Sequence, residues 1–446
     1  MTTLLRFTAP CLILAVWIAG PPVRAQAPDT LRIDTVVQEA LSDNFQAQIA
    51  RNQVDLAAND RSLGNAGFLP TLTGRAGYSE SQTSSEQEFL DGSTQDVDGA
   101  TSTNETASAE LRWTLFDGLG RFATYDRLGA ELDRQQAATR EQVEGVLADV
   151  IATYYDVARQ QQQLAVLRTG VAISRERLRI AQSRRDLGTA SDLEVRQARV
   201  DLNADSAAVL RQQSSVVAAK AQLNRLLGRR RASTRYAVAP RIALDTTLVA
   251  ATLRRVAAER NPVLQQAQRA LSVARAEERE LRADFLPSLD ATVSYGYSEL
   301  DSESGFLRAS TSTDLTYGLS LTWDLFDGLN RFRRSQNADV RTRNAQLFVD
   351  DVEARLEADL ASAFESYRNR LRLVDLEAEN LDAAVANVEV ALEQFRLGTI
   401  TSVELREVQE QRVQAESRLL DARFEAKRAE TELLRLSGQL LDRHQQ

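Results

Sequence analysis

The chain has 446 residues, of which 54 are basic and 63 acidic, so its formal net charge is −9. Nucleic acid is excluded as a partner, because it requires a clustered basic surface and the basic runs here, such as Arg229-Arg230-Arg231, are short and typical of solvated loops. With only 8 prolines and 20 glycines, the composition favours long helices or coiled coils over several small domains.

Residues 1–25 have the pattern of a secretory signal peptide. Arg6 supplies the positive charge, residues 11–19 the apolar run, and Val23-Arg24-Ala25 the cleavage site. Removal of this segment would leave a net charge of −11 and no cysteine, so the exported chain must be stable without disulfides. No later stretch approaches about 18 apolar residues, which leaves a soluble periplasmic protein or an outer-membrane β-barrel protein.

The first half begins with a helical pattern over residues 34–66. This helix must end before Phe68-Leu69-Pro70, because the residue before a proline avoids the α region. The apolar period then changes to two, which predicts strands over about 70–79 and 106–116. The segment between them, residues 79–106, has seven acidic side chains and no Lys or Arg, as suits an extracellular loop.

Two long helices follow the strands. The first is predicted to continue without proline to Leu187-Gly188, which corresponds to ~100 Å of helix. Gly188 allows a tight reversal, and Ser191 or Asp192 can cap a second helix that returns to Gly228. Residues 119–228 are therefore predicted to form a coiled-coil hairpin with a thin apolar seam.

The second half of the chain repeats the first. Phe-Leu-Pro at 68–70 returns at 285–287, Trp-x-x-Phe-Asp-Gly-Leu at 113–119 returns at 323–329, and Leu-Gly-Thr at 187–189 returns at 397–399. The offset falls from 217 to 210 residues between the first two motifs, so the first copy has a longer loop between its strands. A repeat of this length indicates duplication of one large unit rather than a solenoid.

The predicted organisation is thus two repeats, 26–228 and 251–438, joined by a connector and followed by a tail, 439–446. In the second repeat, strands are expected at about 288–298 and 313–325, and the helical hairpin at 329–438. The connector, residues 229–250, contains Pro240 and little helical period. We expect it to lie near the middle of the helices.

Each predicted strand segment has about the ten residues that cross a bilayer when tilted, with apolar and polar side chains alternating. An amphipathic sheet packed on helices would show the same alternation. The signal peptide and two apparent aromatic girdles favour the membrane. The girdle residues are Tyr78, Tyr295, Tyr297 and Tyr317 near the loops, and Trp113, Phe116, Trp323 and Phe326 near the helices.

Four strands cannot close a barrel, because the smallest bacterial outer-membrane barrels have eight. An open edge in lipid would leave backbone groups unsatisfied, so the chain must share a barrel with its own copies. Three copies give twelve strands and room for an aqueous lumen. The predicted fold is mainly α with a membrane β-barrel: a duplicated unit of long coiled-coil helices and β-hairpins, forming a trimer whose twelve-stranded barrel continues into an α-helical barrel.

The three repeated motifs, present in order in both halves, resemble those of the TolC-like outer-membrane efflux proteins over nearly all of the mature chain. This resemblance implies an outer-membrane homotrimer in contact with lipid, with its helical barrel in the periplasm. It also implies an equatorial girdle around the helices, which is expected to be lean here and to consist mainly of residues 229–250. It further implies that the helical tips dock on a periplasmic adaptor, or membrane fusion protein, that serves an inner-membrane transporter. The protein would be a passive exit duct for efflux or type I secretion, and small-molecule efflux is favoured although no residue separates the two.

The resemblance also implies two sites near the tips. A periplasmic gate is predicted at Glu404 and Glu407, which are three apart on the returning helix; Glu194 is the position aligned with Glu404 in the first repeat. Arg396 and Arg406 are the nearby cations of this gate. The alternative interpretation is that the glutamates are ordinary flanking charges. Ile400 occupies a position where the family often has a basic gate residue. The predicted docking residues are the two Leu-Gly-Thr turns, Leu187, Gly188, Thr189, Leu397, Gly398 and Thr399.

No catalytic chemistry is expected. Without a cysteine in the mature chain and with His444 as its one histidine, Cys- or His-based zinc sites and Ser-His or Cys-His nucleophiles are excluded, and no cofactor is expected. A structural periplasmic coiled-coil protein without channel activity is the alternative function.

Overall fold

The computed structural model describes residues 30–230, 236–304 and 307–444, so the predicted signal peptide lies outside the described residues. The helices are α1 Ile33–Asp43, α2 Phe45–Asp60, α3 Gly120–Asp186, α4 Asp192–Leu226, α5 Ala250–Arg260, α6 Pro262–Ala283, α7 Asn330–Leu397, α8 Ser402–Leu436 and α9 Leu440–His444. The strands are β1 Thr30–Leu31, β2 Thr71–Glu88, β3 Thr94–Asp117, β4 Ala237–Val238, β5 Ser288–Ser302 and β6 Ala309–Thr322. None of the described helices combines the length and the apolar character needed to cross a bilayer.

The main sheet has the order β2-β3-β5-β6 and is antiparallel throughout. Directly paired residues share a face, so Leu72, Leu111, Val293 and Tyr317 lie in one apolar row across the four strands. The adjacent row on the opposite face is polar, with Thr73, Glu110, Ser294 and Thr316. The edge strands β2 and β6 each leave one side without a strand partner among the described residues.

The predicted strand boundaries were too short in the first repeat. The pairing of β2 with β3 continues to Glu88 opposite Thr94, so the turn occupies only residues 89–93 and most of the predicted loop is strand. This segment lacks apolar alternation, because it extends beyond the apolar rows, and Thr and Ser support a ladder without an apolar face. In the second repeat, β6 ends at Thr322, three residues before the predicted end.

The repeated Phe-Leu-Pro and Trp-x-x-Phe-Asp-Gly-Leu motifs meet at the junction of sheet and helices. Trp113 Nε1 donates to the Phe68 carbonyl at 3.1 Å, and Trp323 Nε1 donates to the Phe285 carbonyl at 3.3 Å. In each copy the aspartate of the second motif accepts the backbone N–H of an arginine four residues later, Arg121 in the first copy and Arg331 in the second. The guanidinium of each arginine lies 5.6 Å from the ring centroid of the phenylalanine in Phe-Leu-Pro. The motifs are therefore repeated because the sheet meets the helices through the same contacts in both copies.

The prediction of one helix over residues 34–66 is wrong, because this segment forms two helices, α1 and α2, and the second ends at Asp60. Asn44 interrupts it: its Oδ1 accepts the Ala47 N–H at 3.0 Å, and its Nδ2 donates to the Leu226 carbonyl at 2.7 Å. The side chain thus caps the start of α2 and the end of α4 together. Asn261 does the same in the second repeat, between α6 and the Leu436 carbonyl.

A glycine completes each of these junctions. Gly228 follows α4 and Gly438 follows α8, both with positive φ, 68° and 65°. A Cβ at Gly228 would lie 2.2 Å from the Asp43 carbonyl oxygen, and one at Gly438 would lie 2.3 Å from the Arg260 carbonyl oxygen. We call each asparagine with its glycine an equatorial clamp; the two clamps tie the short helices to the long ones at the same height.

The largest apolar core lies at this height, where α3 is packed by segments from distant parts of the chain. This core belongs to the equatorial girdle, and the prediction that the connector is the main part of the girdle is wrong. The N-terminal strand β1 pairs in parallel with β4 of the connector, and α1 and α9 supply core residues as well. The buried residues include Val36, Val37, Leu147, Val150, Tyr154, Leu223, Tyr236, Val238, Leu434 and Leu440. The girdle therefore depends on both ends of the chain, because a connector this short cannot cover the helices alone.

Candidate functional site

The two helical hairpins, α3–α4 (the first hairpin) and α7–α8 (the second hairpin), reverse at turns of the same geometry. Gly188 and Gly398 have φ of 77° and 78°. In the first turn, Gly188 N donates to the Arg185 carbonyl and Thr189 N to the Arg184 carbonyl, both at 2.8 Å. This pattern is the Schellman motif, which satisfies helix-end carbonyls and requires a left-handed residue. It explains why Leu-Gly-Thr occurs twice.

The side chains of the predicted docking residues differ in whether they are exposed to solvent or bonded within the turn. Leu187 and Leu397 are 79% and 72% exposed, so each turn presents an apolar side chain to solvent. The hydroxyls of Thr189 and Thr399 are instead used within the turns, where each donates at 3.0 Å to the carbonyl five residues earlier. The projecting apolar part of each tip is therefore the leucine.

Glu404 lies at the start of α8 and forms a capping box with Thr401. Its carboxylate accepts the Thr401 N–H at 2.7 Å, while the Thr401 hydroxyl accepts the Glu404 N–H at 3.2 Å. The hydrogen bonds from the Thr401 backbone and hydroxyl lower the pKa of the exposed Glu404 carboxyl. Glu194 occupies the equivalent position in α4, where Ser191 accepts its N–H at 3.3 Å. The side chain of Glu404 thus helps to start its helix, whereas at Glu194 only the backbone N–H takes part in the cap.

The other predicted gate residues have different surroundings. Glu407 is exposed on α8. Arg396, near the end of α7, has Nη2 at 3.4 Å from Glu176 Oε1 on α3, so it links the second hairpin to the first. The hydrogen bonds from Arg179 and from Arg396 hold the pKa of Glu176 below its ordinary value.

Arg406 makes the firmest ion pair between the two hairpins. Its Nη1 and Nη2 donate to the two carboxylate oxygens of Asp205 on α4, at 2.7 and 3.0 Å. This is the bidentate geometry that makes arginine–carboxylate pairs strong. Burial alone would raise the pKa of Asp205, but the hydrogen bonds from Arg406 and Ser174 outweigh it and the pKa is lowered. The carboxylate therefore stays charged and bound.

A buried polar layer continues from this pair into the first hairpin. Ser174 Oγ donates to Asp205, and Gln409 Nε2 on α8 donates to Ser174 Oγ at 2.7 Å and to the Gly170 carbonyl at 3.0 Å. Arg177 is completely buried and pairs with Asp201. Burial lowers the pKa of Arg177, and the Asp201 carboxylate opposes this shift. The layer thus joins α3, α4 and α8 by directional hydrogen bonds and an ion pair, each of which requires a particular polar partner on the neighbouring helix.

An apolar cluster and one further arginine join the hairpins closer to the tips. Ile180 of α3 packs in a buried cluster with Ala391, Phe395 and Leu405 of the second hairpin. The Arg184 guanidinium lies 5.3 Å from the Phe395 ring centroid, and its Nη1 is 3.5 Å from Glu194 Oε1. One arginine of the first hairpin thus contacts the end of α7 as well as the start of α4.

The residues of this polar layer were missed at the sequence level. Gly170, Ser174 and Arg177 lie on the buried seam of α3, between Val166 and Ile180, at helical spacing of three and four. A charged residue on an apolar seam was the available signal, since polar residues at such positions specify a partner. The signal does not identify that partner, because Asp205 and Gln409 lie on other helices.

The predicted girdle residues lie on the apolar face or at the helical end of the sheet. Tyr295 pairs with Ala109 and Leu315, and Tyr317 pairs with Val293, all within apolar rows. A bulge at Leu115 places Phe116 opposite Leu289 on that face. Tyr78 and Tyr297 donate their hydroxyls to Glu80 and Glu299 at 3.1 and 2.5 Å, while Trp113, Trp323 and Phe326 are 43%, 57% and 79% exposed.

Comparison with known proteins gives a family match in both halves of the chain. The family model of the outer membrane efflux proteins matches residues 36–229 and residues 253–439, one match for each repeat. Together these ranges cover most of the chain.

Two curated relatives and one solved structure show the extent of the similarity. Protein CyaE of Bordetella pertussis is 29% identical over 60% of this chain and 58% of its own length. Alkaline protease secretion protein AprF of Pseudomonas aeruginosa is 26% identical over 70% of this chain and 64% of its own. The chain therefore spans less than two thirds of the length of either relative. The CmeC outer membrane channel of Campylobacter jejuni superimposes with a TM-score of 0.74 at 15% identity, over 91% of this chain and 85% of that one. This likeness confirms the predicted fold class.

Proposed function

We propose that this chain, which belongs to the outer membrane efflux protein family, is one protomer of a homotrimeric, passive exit duct of an efflux or type I secretion system. The duct would catalyse no reaction and would be energised by an inner-membrane transporter through a periplasmic adaptor. AprF is named as an alkaline protease secretion protein, which supports keeping secretion beside efflux. Membership of the family itself places the protein in the outer membrane.

The observation that carries this proposal is the two-faced sheet with two unpaired edges. One face has apolar rows suited to lipid, and the other has polar rows suited to a lumen. Among the described residues, β2 and β6 have no outer strand partners. In a bilayer those edges require pairing, and three copies related by a threefold axis supply it with twelve strands.

The experiment is to fractionate membranes and to reconstitute the purified protein in planar bilayers. A heat-stable trimer in the outer-membrane fraction that requires detergent and conducts ions agrees with the proposal. A protein that stays in solution without detergent and conducts nothing would instead be a structural coiled-coil protein.

The proposed gate lies at the tips, where the contacts between hairpins concentrate. Arg396, Arg406 and Arg184 each connect the first hairpin to the second, by the contacts to Glu176, Asp205 and Phe395. In a trimer, three exposed copies of Glu404 and Glu407 would crowd carboxylates near one axis, which favours cations in the bore. We infer that the arginine contacts hold the gate closed and that the carboxylates affect which ions enter.

Removing these charges without removing the helix cap tests the carboxylates. We expect Glu404→Gln with Glu407→Gln to raise single-channel conductance and to weaken block by divalent cations, because glutamine still serves in a capping box but carries no charge. Glu416→Gln, which lies on the same helix and is not among the described partners of Arg406, is the control for removal of another acid. Unchanged conductance and unchanged block would show that Glu404 and Glu407 are flanking charges.

The exposed leucine tips are proposed to dock the adaptor. Leu187 and Leu397 project from turns of the same geometry in the two repeats, so a trimer would offer six similar knobs. Such an arrangement would match a sixfold adaptor ring although the channel has only threefold symmetry.

Changing both turn glycines should separate docking from folding. We expect Gly188→Val with Gly398→Val to leave a trimer in the outer membrane and to abolish export, since a β-branched residue cannot adopt the positive φ of these turns without strain. Gly145→Val, within α3, is the control for a bulky residue in open space. Crosslinkers placed at positions 187 and 397 in cells should both capture a periplasmic adaptor. Efficient capture at one position alone would contradict pseudo-sixfold docking.

A further inference from the structure

Charged side chains on the polar face of the sheet are few and unevenly distributed. At the paired positions of that face in β2, β3, β5 and β6, the charged residues are Arg75, Glu110, Arg112, Asp117, Asp290 and Asp314. Asp117 accepts the Arg121 backbone N–H at 2.8 Å. Asp290 accepts the Thr114 hydroxyl at 2.6 Å, and Asp314 accepts the Ser312 hydroxyl at 3.4 Å. The remaining three form one cluster, which the proposed gate and docking tips do not include.

In this cluster, one carboxylate holds two guanidinium groups. Arg75 Nη1 lies 3.0 Å from Glu110 Oε2, and Arg112 Nη2 lies 3.0 Å from Glu110 Oε1. The carboxylate is only 22% exposed, whereas the two arginine side chains are 67% and 64% exposed. Glu110 therefore fixes the guanidiniums side by side and leaves one positive charge uncompensated.

The free donors of the cluster point to an anionic ligand. A guanidinium has five N–H donors, and each arginine here uses one of its terminal nitrogens on Glu110. The remaining donors form the fork geometry that suits carboxylate and phosphate oxygens. Rings of arginine are also the arrangement by which pores favour anions.

The internal repeat argues that the cluster is a local addition and not a requirement of the fold. At the offsets of the repeat, Arg75 corresponds to Thr292, Glu110 to Ser320 and Arg112 to Thr322. The second copy builds the same antiparallel pairing with these uncharged residues. The three charged side chains are thus unnecessary for the sheet, and a ligand would explain them.

We propose that Arg75 and Arg112, positioned by Glu110, form a binding site in the barrel lumen for carboxylate or phosphate groups of exported solutes. The proposal rests on the proposed function in one respect, namely that the polar face lines the lumen. The acidic β2–β3 hairpin lies beyond this level and would repel small anions arriving from outside. The site therefore suits an anionic group that arrives through the duct.

The test is calorimetric binding of inorganic pyrophosphate to the intact detergent-solubilised protein at low ionic strength, where charge interactions are least screened. We expect one site per chain, and at least a tenfold weaker affinity in the variant Arg75→Thr with Arg112→Thr. These threonines are the residues that the second repeat already has, so the sheet should form. Arg308→Thr, which removes a cation just before β6, is the matched control and should bind as the original protein does.

Two further results separate this inference from the proposed function. Pyrophosphate should also block current through the reconstituted channel, and the double variant should resist that block. Absence of binding, or equal binding by the original protein and the double variant, overturns the anion site even if the channel conducts. Binding that is lost in the double variant, without any channel current, overturns the exit duct and leaves the site standing.

Discussion

Replacing Arg406 by alanine should shift the resting duct towards its open state by about tenfold or more. The change removes both hydrogen bonds to Asp205 and leaves that partly buried carboxylate with the Ser174 hydroxyl as its remaining hydrogen-bond donor. Loss of such a pair costs about 1–3 kcal/mol per chain, between the values for exposed and buried ion pairs. Since the pair connects α8 to α4, the cost falls on the contact between the hairpins. The measurement is single-channel conductance and open probability in planar bilayers.

A matched control and a double-variant cycle make the result specific. Arg418 lies on the same helix and pairs with Glu377 at 3.0 Å, but this pair stays within the second hairpin. Arg418→Ala should therefore leave the open probability unchanged. Asp205→Asn should resemble Arg406→Ala, and the two together should have less than the sum of the single effects. Additive effects, or an equal response to Arg418→Ala, would refute the inference that the Arg406–Asp205 pair holds the gate closed.

The sign of the pH dependence follows from the lowered pKa of Asp205. A carboxylate whose pKa is lowered in the folded protein contributes its full stabilisation above the ordinary aspartate value of about 4. That contribution is lost only as the pH falls through the lower folded value. The conductance of the original protein should thus be the same at about pH 5 and pH 7, as far as this pair determines it.

Replacing either clamp glycine by alanine should strongly destabilise the girdle, because no other described glycine has an ideal Cβ position so close to a backbone atom. At Gly228 the new Cβ would lie 2.2 Å from the Asp43 carbonyl oxygen, and at Gly438 it would lie 2.3 Å from that of Arg260. The backbone must move in either case, and alanine is also strained at positive φ. We expect each change to cost about 2–4 kcal/mol, since strain and lost capping add.

The measurement is the temperature at which the trimer dissociates and its helices melt. Gly145→Ala in α3 is the control, because no atom lies within 4 Å of its ideal Cβ and φ there is not positive. That control should raise stability slightly, as glycine in a helix interior is unfavourable. Unchanged melting of Gly228→Ala or Gly438→Ala would mean that the clamp does not hold the girdle.

The overall fold was predictable because its signals are duplicated and local. A change of apolar period from 3.6 to two identifies the strands, and Leu-Gly-Thr identifies each helix reversal by the positive φ that glycine permits. The break at Asn44 was not predicted, since an asparagine inside a helical pattern gives no sign that it caps Leu226, 182 residues away. The aligned Asn261 precedes Pro262, so comparison of the two repeats did contain a sign of this break.

The candidate site was less predictable than the fold. Glu404 and Glu407 were predicted from the family resemblance together with their spacing, yet the structure gives Glu404 a capping partner, Thr401, that the sequence pattern also permits. Arg406 was predicted only as a nearby cation, because its partner Asp205 is 201 positions away and on another hairpin. Partners at such distances depend on how the helices are packed, which periodicity along one helix does not specify.

The unpaired sides of β2 and β6 also bear on how the protein is made. A lone chain that entered the bilayer would expose two rows of backbone groups to lipid, at a cost of several kcal/mol for each unsatisfied group. Under the proposed trimer, encounter between chains must therefore precede or accompany insertion. The rate of insertion would rise more steeply than in proportion to the amount of chain in the periplasm, so the expression level would determine how quickly finished ducts appear.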